Sequence, residues 1–476
     1  MHSTPSRSAR QIPPWFIYLF GALGAILWGY DTGVVSGVLL YIKNDFPVTA
    51  TESGLITSSF TIGAIIGAVS SALLVDRLGR RRLLQVAAIV FLVGTLLAAT
   101  AGSAAVLILG RSVLGLGIGF VSVNIPIYLS ELSPAGTRGR VVSLVQFMNA
   151  FGILLSYIAN FALSASGAWR IMLALAVIPA VLLFVGVFLL PESPRWLVAR
   201  GRLEEAAAGL ARRDDGPDPA HTIAEIQLGL AASHGSWRTL LAPWARRPAL
   251  IAILLTVLAQ FLGINAITYY SPTVLTAIGF SESASLITTI GFGSIAVSAT
   301  LWALRYADSF SRRRILIGGA AITGSAMLLC AIATWSFGLT SVVTGTVAII
   351  CFSVFKAGYA STWAPVSRVV QTEILPISIR GTAMSISEVA NFASIFVVTL
   401  LFPILLQAGG AGFAFLTFTT VGAIAIALLL IVVPETSGRS LEEIEAQIRR
   451  GTADSLPEAT QSDGTIAPRH SHAPHS

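Results

Sequence analysis

The chain has 476 residues, of which 54% are hydrophobic and only 11% charged, with a formal net charge of +7. A soluble protein carries about 25% charged residues, so this chain has too little polar surface for water and takes a bilayer as its solvent. In that setting the positions of the arginines carry more information than their sum, and the excess of positive charge does not point to nucleic acid.

A membrane span needs about 20 mostly apolar residues. Twelve such segments are predicted, at approximately 15–40, 54–75, 83–102, 105–128, 141–164, 169–190, 248–270, 283–304, 315–336, 340–366, 381–406 and 411–433. Glycines such as Gly63, Gly67, Gly115 and Gly119 are spaced to let helices approach closely in lipid. Residues 1–14 are polar and the first apolar run is long enough to span, so no cleavable leader is expected. The spans divide into an N-terminal bundle over 15–197 and a C-terminal bundle over 248–436. Between them, 198–247 holds two stretches of helical character, expected to form short amphipathic helices. Residues 437–476 form a polar tail, expected to be disordered after about 451. Arginines follow even-numbered spans and fill the linker and the tail, whereas the opposite loops keep only Lys43 and Arg170. That asymmetry places both termini in the cytoplasm. All six histidines lie in the termini or the linker, so proton chemistry within the membrane must use other groups. Cys330 and Cys351 read as small core residues; no metal site, cofactor loop or nucleophile–base set is apparent, and an enzyme is not expected.

A charged cassette is written twice, roughly half a chain apart. Asp76-Arg77-Leu78-Gly79-Arg80-Arg81-Arg82 returns as Asp308-Ser309-Phe310-Ser311-Arg312-Arg313-Arg314. Glu131 and Arg138 return as Glu373 and Arg380, and the PESPRW stretch with Glu192 and Arg195 returns as PETSGR with Glu435 and Arg439. A duplicated membrane protein with matching charge clusters reads as a two-bundle transporter with its substrate between the halves. Carboxylates and arginines at these helix ends can pair in one conformation and part in the other, a gating role.

With Gly29-Tyr30-Asp31-Thr32-Gly33, Gly110-Arg111, Gln260-x-x-Gly263-x-Asn265, Tyr269-Tyr270 and PETSGRSLEEIE added to these cassettes, the chain resembles the sugar porter branch of the major facilitator superfamily. The likeness covers nearly all of 15–447. It implies an all-α membrane protein of twelve helices in two six-helix bundles. It also implies inward transport of a monosaccharide or polyol with a proton, by a bacterial inner-membrane protein that functions as a monomer without a cofactor or metal. The resemblance pairs Asp31 with Arg111 as the proton-coupling site, as in bacterial proton-coupled porters; animal facilitative relatives have Asn in place of the acid.

Sugars need amide donors and acceptors backed by aromatic faces. Matched to the family, these are Gln146, Gln260, Asn265 and Asn391, with Trp28, Trp363, Tyr270 and Phe392 as candidate cavity aromatics. Gln260 and Asn265 are about 140° apart on an ideal helix and converge only if the helix breaks, for which Gly263 is placed. The chain departs from the family at Ala259 (commonly Gln), Ala296 (Asn), Phe392 (Trp), Arg368 (a sugar-stacking Trp) and Ala176, where some members have an acid. Arg368, Lys356 and Glu388 are unexpected intramembrane charges. Either Glu388 neutralises Arg368 or Lys356, or Arg368 receives an anionic substrate. The alternatives on this scaffold are symport of an organic or sugar acid, uncoupled facilitation, and a non-transporting nutrient sensor.

Overall fold

A computed structural model describes residues 14–133, 138–211, 218–232, 240, 242–306 and 311–435. The expected polar tail, Asp308 and Arg439 lie outside the described residues. The first half runs through α1 (Pro14–Tyr41), α2 (Ala50–Leu78), α3 (Arg80–Ala99), α4 (Ala104–Leu132), α5 (Arg138–Ala162), α6 (Trp169–Ala174) and α7 (Val177–Leu189), the last two forming one span. The linker supplies α8 (Pro194–Ala199), α9 (Leu203–Ala211) and α10 (Pro219–Ala232). The second half comprises α11 (Pro243–Phe261), α12 (Ile264–Ile278), α13 (Glu282–Tyr306), α14 (Arg312–Phe337), α15 (Val342–Ser361), α16 (Trp363–Ile374) and α17 (Ile377–Val432). Eleven helical runs among the described residues are long and apolar enough to span a membrane. The last is two helices, because Gly410 breaks α17 with φ 74° and ψ 176°. The total is therefore twelve.

Local sequence sets the helix starts. Thr49 and Glu52 close a reciprocal box at the head of α2, where Glu52 N–H donates to Thr49 Oγ1 at 3.1 Å and Thr49 N–H to Glu52 Oε2 at 2.9 Å. Ser103 and Ser193 cap α4 and α8 by accepting from Val106 and Trp196 N–H. The linker helices fold around Trp196, Leu197, Val198 and Ala206, against which Ile223 and Ile226 pack.

Polarity is inverted relative to a soluble protein. Leu73, Val93, Val185, Phe188 and Ile431 are exposed on the outside, while Asp31, Arg111, Asn124, Asn160 and Lys356 are buried. With no hydrophobic force between helices in lipid, association rests on close contact. A Cβ on Gly115 would lie 1.9 Å from the Phe60 carbonyl oxygen, and one on Gly29 would lie 2.0 Å from that of Asn149. These contacts lock α4 onto α2 and α5 onto α1. The halves meet where α2 packs on α17, α5 on α13 and α1 on α12. Hydrogen bonds between them gather at the end away from the arginine cassettes. There Tyr270 Oη shares a 2.6 Å bond with Thr57 Oγ1, and Tyr157 Oη donates to the Thr268 carbonyl at 3.1 Å.

Gly115→Leu is expected to force α4 off α2, because backbone rather than a movable side chain fills the space. A loss of at least about 2 kcal/mol is expected, read as a clear drop in thermal unfolding temperature in detergent.

Candidate functional site: a central cavity between the halves

A cavity of roughly 1120 Å³, counting its open mouth, lies between the bundles. α1 and α5 contribute Trp28, Thr32, Gln146, Asn149 and Tyr157; the second half contributes Gln260, Asn265, Thr268, Lys356, Tyr359, Arg368, Gln371 and Asn391.

Two helix breaks build its wall. Gly263 stands at φ 98° between α11 and α12, a conformation that suits glycine, and a Cβ there would meet Phe418 at 2.7 Å. The break swings Asn265 back toward Gln260, and Asn265 Nδ2 donates to Gln260 Oε1 at 2.6 Å. The second break, at Thr362 (φ −122°, ψ −76°), separates α15 from α16. Apolar composition predicts one continuous segment over 340–366. Pro365 explains the difference, because it removes an N–H and its ring clashes with the carbonyl four residues earlier.

From the amide pair a hydrogen-bonded row crosses the second half. Gln260 Nε2 donates to Asn391 Oδ1 at 2.7 Å, Asn391 Nδ2 to Glu388 Oε1 at 3.2 Å, and Arg368 Nη2 to Glu388 Oε2 at 3.1 Å. Every amide in the row thus has its orientation set by a neighbour, which leaves remaining donors and acceptors for a ligand. Arg368 reaches the cavity already paired with Glu388, whereas Lys356 donates to Thr268 Oγ1.

Six of the sequence-predicted substrate residues line the cavity: Trp28, Gln146, Gln260, Asn265, Arg368 and Asn391. Trp363, Tyr270 and Phe392 do not, which corrects the expectation that they do. The Trp363 indole is fully buried against α14 and donates to the Leu316 carbonyl at 3.0 Å. Tyr270 is spent on the contact between halves, where its hydroxyl also reaches the Thr399 carbonyl at 3.1 Å. Phe392 lies behind Trp28, their rings 5.8 Å apart. Sequence reasoning missed Thr32, Asn149, Tyr157, Thr256, Thr268, Tyr359 and Gln371. Helical spacing was the available signal: Asn149 is three residues from Gln146, and Gln371 three from Arg368.

In the first half, Arg111 Nη1 and Nη2 donate to Asp31 Oδ1 and Oδ2 at 3.0 and 3.3 Å, and Nε donates to the Ile56 carbonyl at 2.6 Å. The guanidinium lies 5.5 Å from the Phe60 ring centre, and both partners are out of contact with solvent. Thr32, adjacent to Asp31, faces the cavity.

The cassettes pair within each half. Arg80 binds Glu131 through Nε and Nη2 at 2.9 and 3.0 Å and reaches Asp76 at 3.3 Å. Glu192 accepts from the N–H groups of Ser193, Arg80 and Arg81 at 2.9, 3.0 and 3.1 Å. Burial pushes its carboxyl above the usual range, and these donors and Arg80 pull it back. In the second half Arg312 Nε lies 3.5 Å from Glu373, and Arg312 N–H donates to Glu435 at 3.1 Å. Two expected gating residues differ. Arg195 is exposed on α8 without an ion pair among the described residues, and Arg380 spends Nε and Nη2 on the Leu375 carbonyl, closing a turn before α17. The side chain of Arg138 lies outside the described residues.

Twelve spans in two repeats around a polar cavity define a transporter of the major facilitator type. The family described as sugar (and other) transporter matches residues 17–448, and the chain belongs to it, within the sugar porter branch. It is 39% identical over 439 residues to the glucose transporter GlcP of Staphylococcus epidermidis, covering 92% of this chain and 98% of that one. It is 34% identical over 440 residues to the galactose-proton symporter of Escherichia coli K12, covering 92% and 95%. Among solved structures it resembles the partially occluded inward open conformation of the xylose transporter XylE from E. coli, with a TM-score of 0.80 and 30% identity, covering 90% of this chain and 99% of that one. The protein is accordingly an integral membrane transporter and not an enzyme.

Removing one partner of a buried ion pair strands the other. Arg111→Met is expected to cost about 3–5 kcal/mol, and Asp31→Asn combined with Arg111→Met should recover part of that loss, as read by thermal unfolding in detergent.

Proposed function

We propose that the protein carries a monosaccharide or polyol inward together with a proton, by alternating access, in the inner membrane of a bacterium. The observation that carries this reading is the amide row Asn265–Gln260–Asn391, oriented by mutual hydrogen bonds and open to the cavity between the halves. Amides both give and accept, as each sugar hydroxyl does, and Trp28 and Tyr359 add aromatic surface to the same cavity. The names of the relatives support a hexose or pentose and, in one case, a proton.

Asp31 is the proton carrier in this reading. Protonation removes its charge, weakens its hold on Arg111 and loosens the joint between α1, α2 and α4, one residue from Thr32 in the cavity wall. The arginine-rich end faces the cytoplasm by the positive-inside rule, as do both termini. A single chain encloses the whole cavity, which supports a functional monomer. The pairing of Arg368 with Glu388 weighs against Arg368 as a free anion site.

In proteoliposomes, an inward-directed pH gradient is expected to drive D-glucose, D-galactose or D-xylose accumulation. Asp31→Asn should abolish accumulation while sparing sugar exchange; undiminished accumulation in that variant would rule out the coupling role. Gln260→Ala is expected to weaken sugar binding about tenfold, from loss of one or two hydrogen bonds and of the partner that orients Asn265 and Asn391.

A further inference from the structure

Among the described residues two cationic side chains line the cavity, and one of them has a counter-ion. Arg368 has Glu388. Lys356, on α15, is 4% exposed and lines the cavity, yet no carboxylate among the described residues lies within 4.0 Å of it. Asp31, the other buried carboxylate of the interior, is held by Arg111 from both oxygens. An ammonium has three donors. One goes to Thr268 Oγ1, a hydroxyl that itself donates to the Ile264 carbonyl at 2.7 Å. A buried cation met by a single neutral oxygen is costly in a membrane interior, and charges there usually pair. A carboxylate entering the cavity would answer that charge, since Lys356 lines it.

We infer that Lys356 is the anchor for a carboxylate on the substrate, so that the cavity prefers a sugar acid, an aldonate or a uronate, over the matching neutral sugar. This rests on the transport reading above and narrows its substrate class. The placement fits such a molecule. Thr268, which Lys356 touches, is three residues beyond Asn265 on α12, about 4.5 Å along the helix axis and on the same face. The amide row and the ammonium are therefore neighbours along one wall, within the length of a six-carbon chain bearing hydroxyls at one end and a carboxylate at the other. Gln260 and Asn265 hold the hydroxyls, while Lys356 selects the charged end. A neutral sugar leaves the ammonium without its partner.

Matched ligand pairs test this: D-gluconate against D-sorbitol, and D-glucuronate against D-glucose, each titrated at pH 7 onto purified full-length protein with thermal unfolding as the readout. The acid of at least one pair is expected to bind about tenfold or more tightly than its neutral counterpart. That preference should shrink toward one in Lys356→Met and return in Lys356→Arg. Equal or weaker binding of both acids by the unaltered protein overturns the inference and needs no variant. An acid preference that persists in Lys356→Met also overturns it. Gradient-driven uptake of a neutral sugar without acid binding would leave the transport reading standing while this inference falls; binding of neither class would sink both. Acid binding lost in Lys356→Met, with no neutral-sugar uptake, upholds the inference and restricts transport to acids.

Discussion

A guanidinium that water does not reach must have its charge and its N–H groups answered by the protein. Arg111 meets that demand with the Asp31 carboxylate, the Ile56 carbonyl and the face of Phe60, so one side chain from α4 ties together α1 and α2. Tyr30, next to Asp31, donates to the Met172 carbonyl at 3.0 Å and fastens the same turn of α1 to α6. The center of the first half is therefore organised around an ionic contact whose strength depends on one carboxylate. In the coupling role proposed for Asp31, a single protonation would alter the joint of three helices.

Bond strength is distributed unevenly across the molecule. The ion pairs seen between described residues stay within one half or within the linker: Arg80 with Glu131, Arg111 with Asp31, Arg312 with Glu373, Arg368 with Glu388. Between the halves, neutral hydrogen bonds are seen among the described residues at Thr57–Tyr270 and Tyr157–Thr268. Charge-assisted bonds are roughly twice as strong as neutral ones. The charge-assisted pairs seen among the described residues thus strengthen each half internally, as suits a bundle that moves as a unit.

The two cassettes solve one problem in two ways. In the first, Gly79 takes φ 91° and leaves room for Glu192, whose oxygen lies 2.5 Å from where a Cβ would sit. In the second, Ser311 keeps φ −57° and its hydroxyl donates to Glu435. Where the first copy has glycine and its space, the second has a serine that supplies a hydrogen bond. Either way a carboxylate that follows the sixth or twelfth span caps the start of α3 or α14.

The number of spans, the duplication, the family and the break at Gly263 were legible in the sequence, because each depends on local composition or on a residue with restricted chemistry. A run of apolar residues long enough to span, an arginine cluster at a helix end, and a glycine between two amides that must converge each carry their reason within a few positions. Which way a side chain points was not legible. In a lipid-embedded helix the outer and inner faces are both apolar, so Trp363, Tyr270 and Phe392 could be seen as aromatic but not as facing away from the cavity. Likewise the pairing of Arg368 with Glu388, and the absence of such a partner for Lys356 among the described residues, depended on the kink at Thr362 and the packing of α16 on α11 and α14. Sequence alone determined which charges enter the membrane; only the tertiary structure decided which neutralise one another, because a Coulomb interaction depends on distance in space and not along the chain.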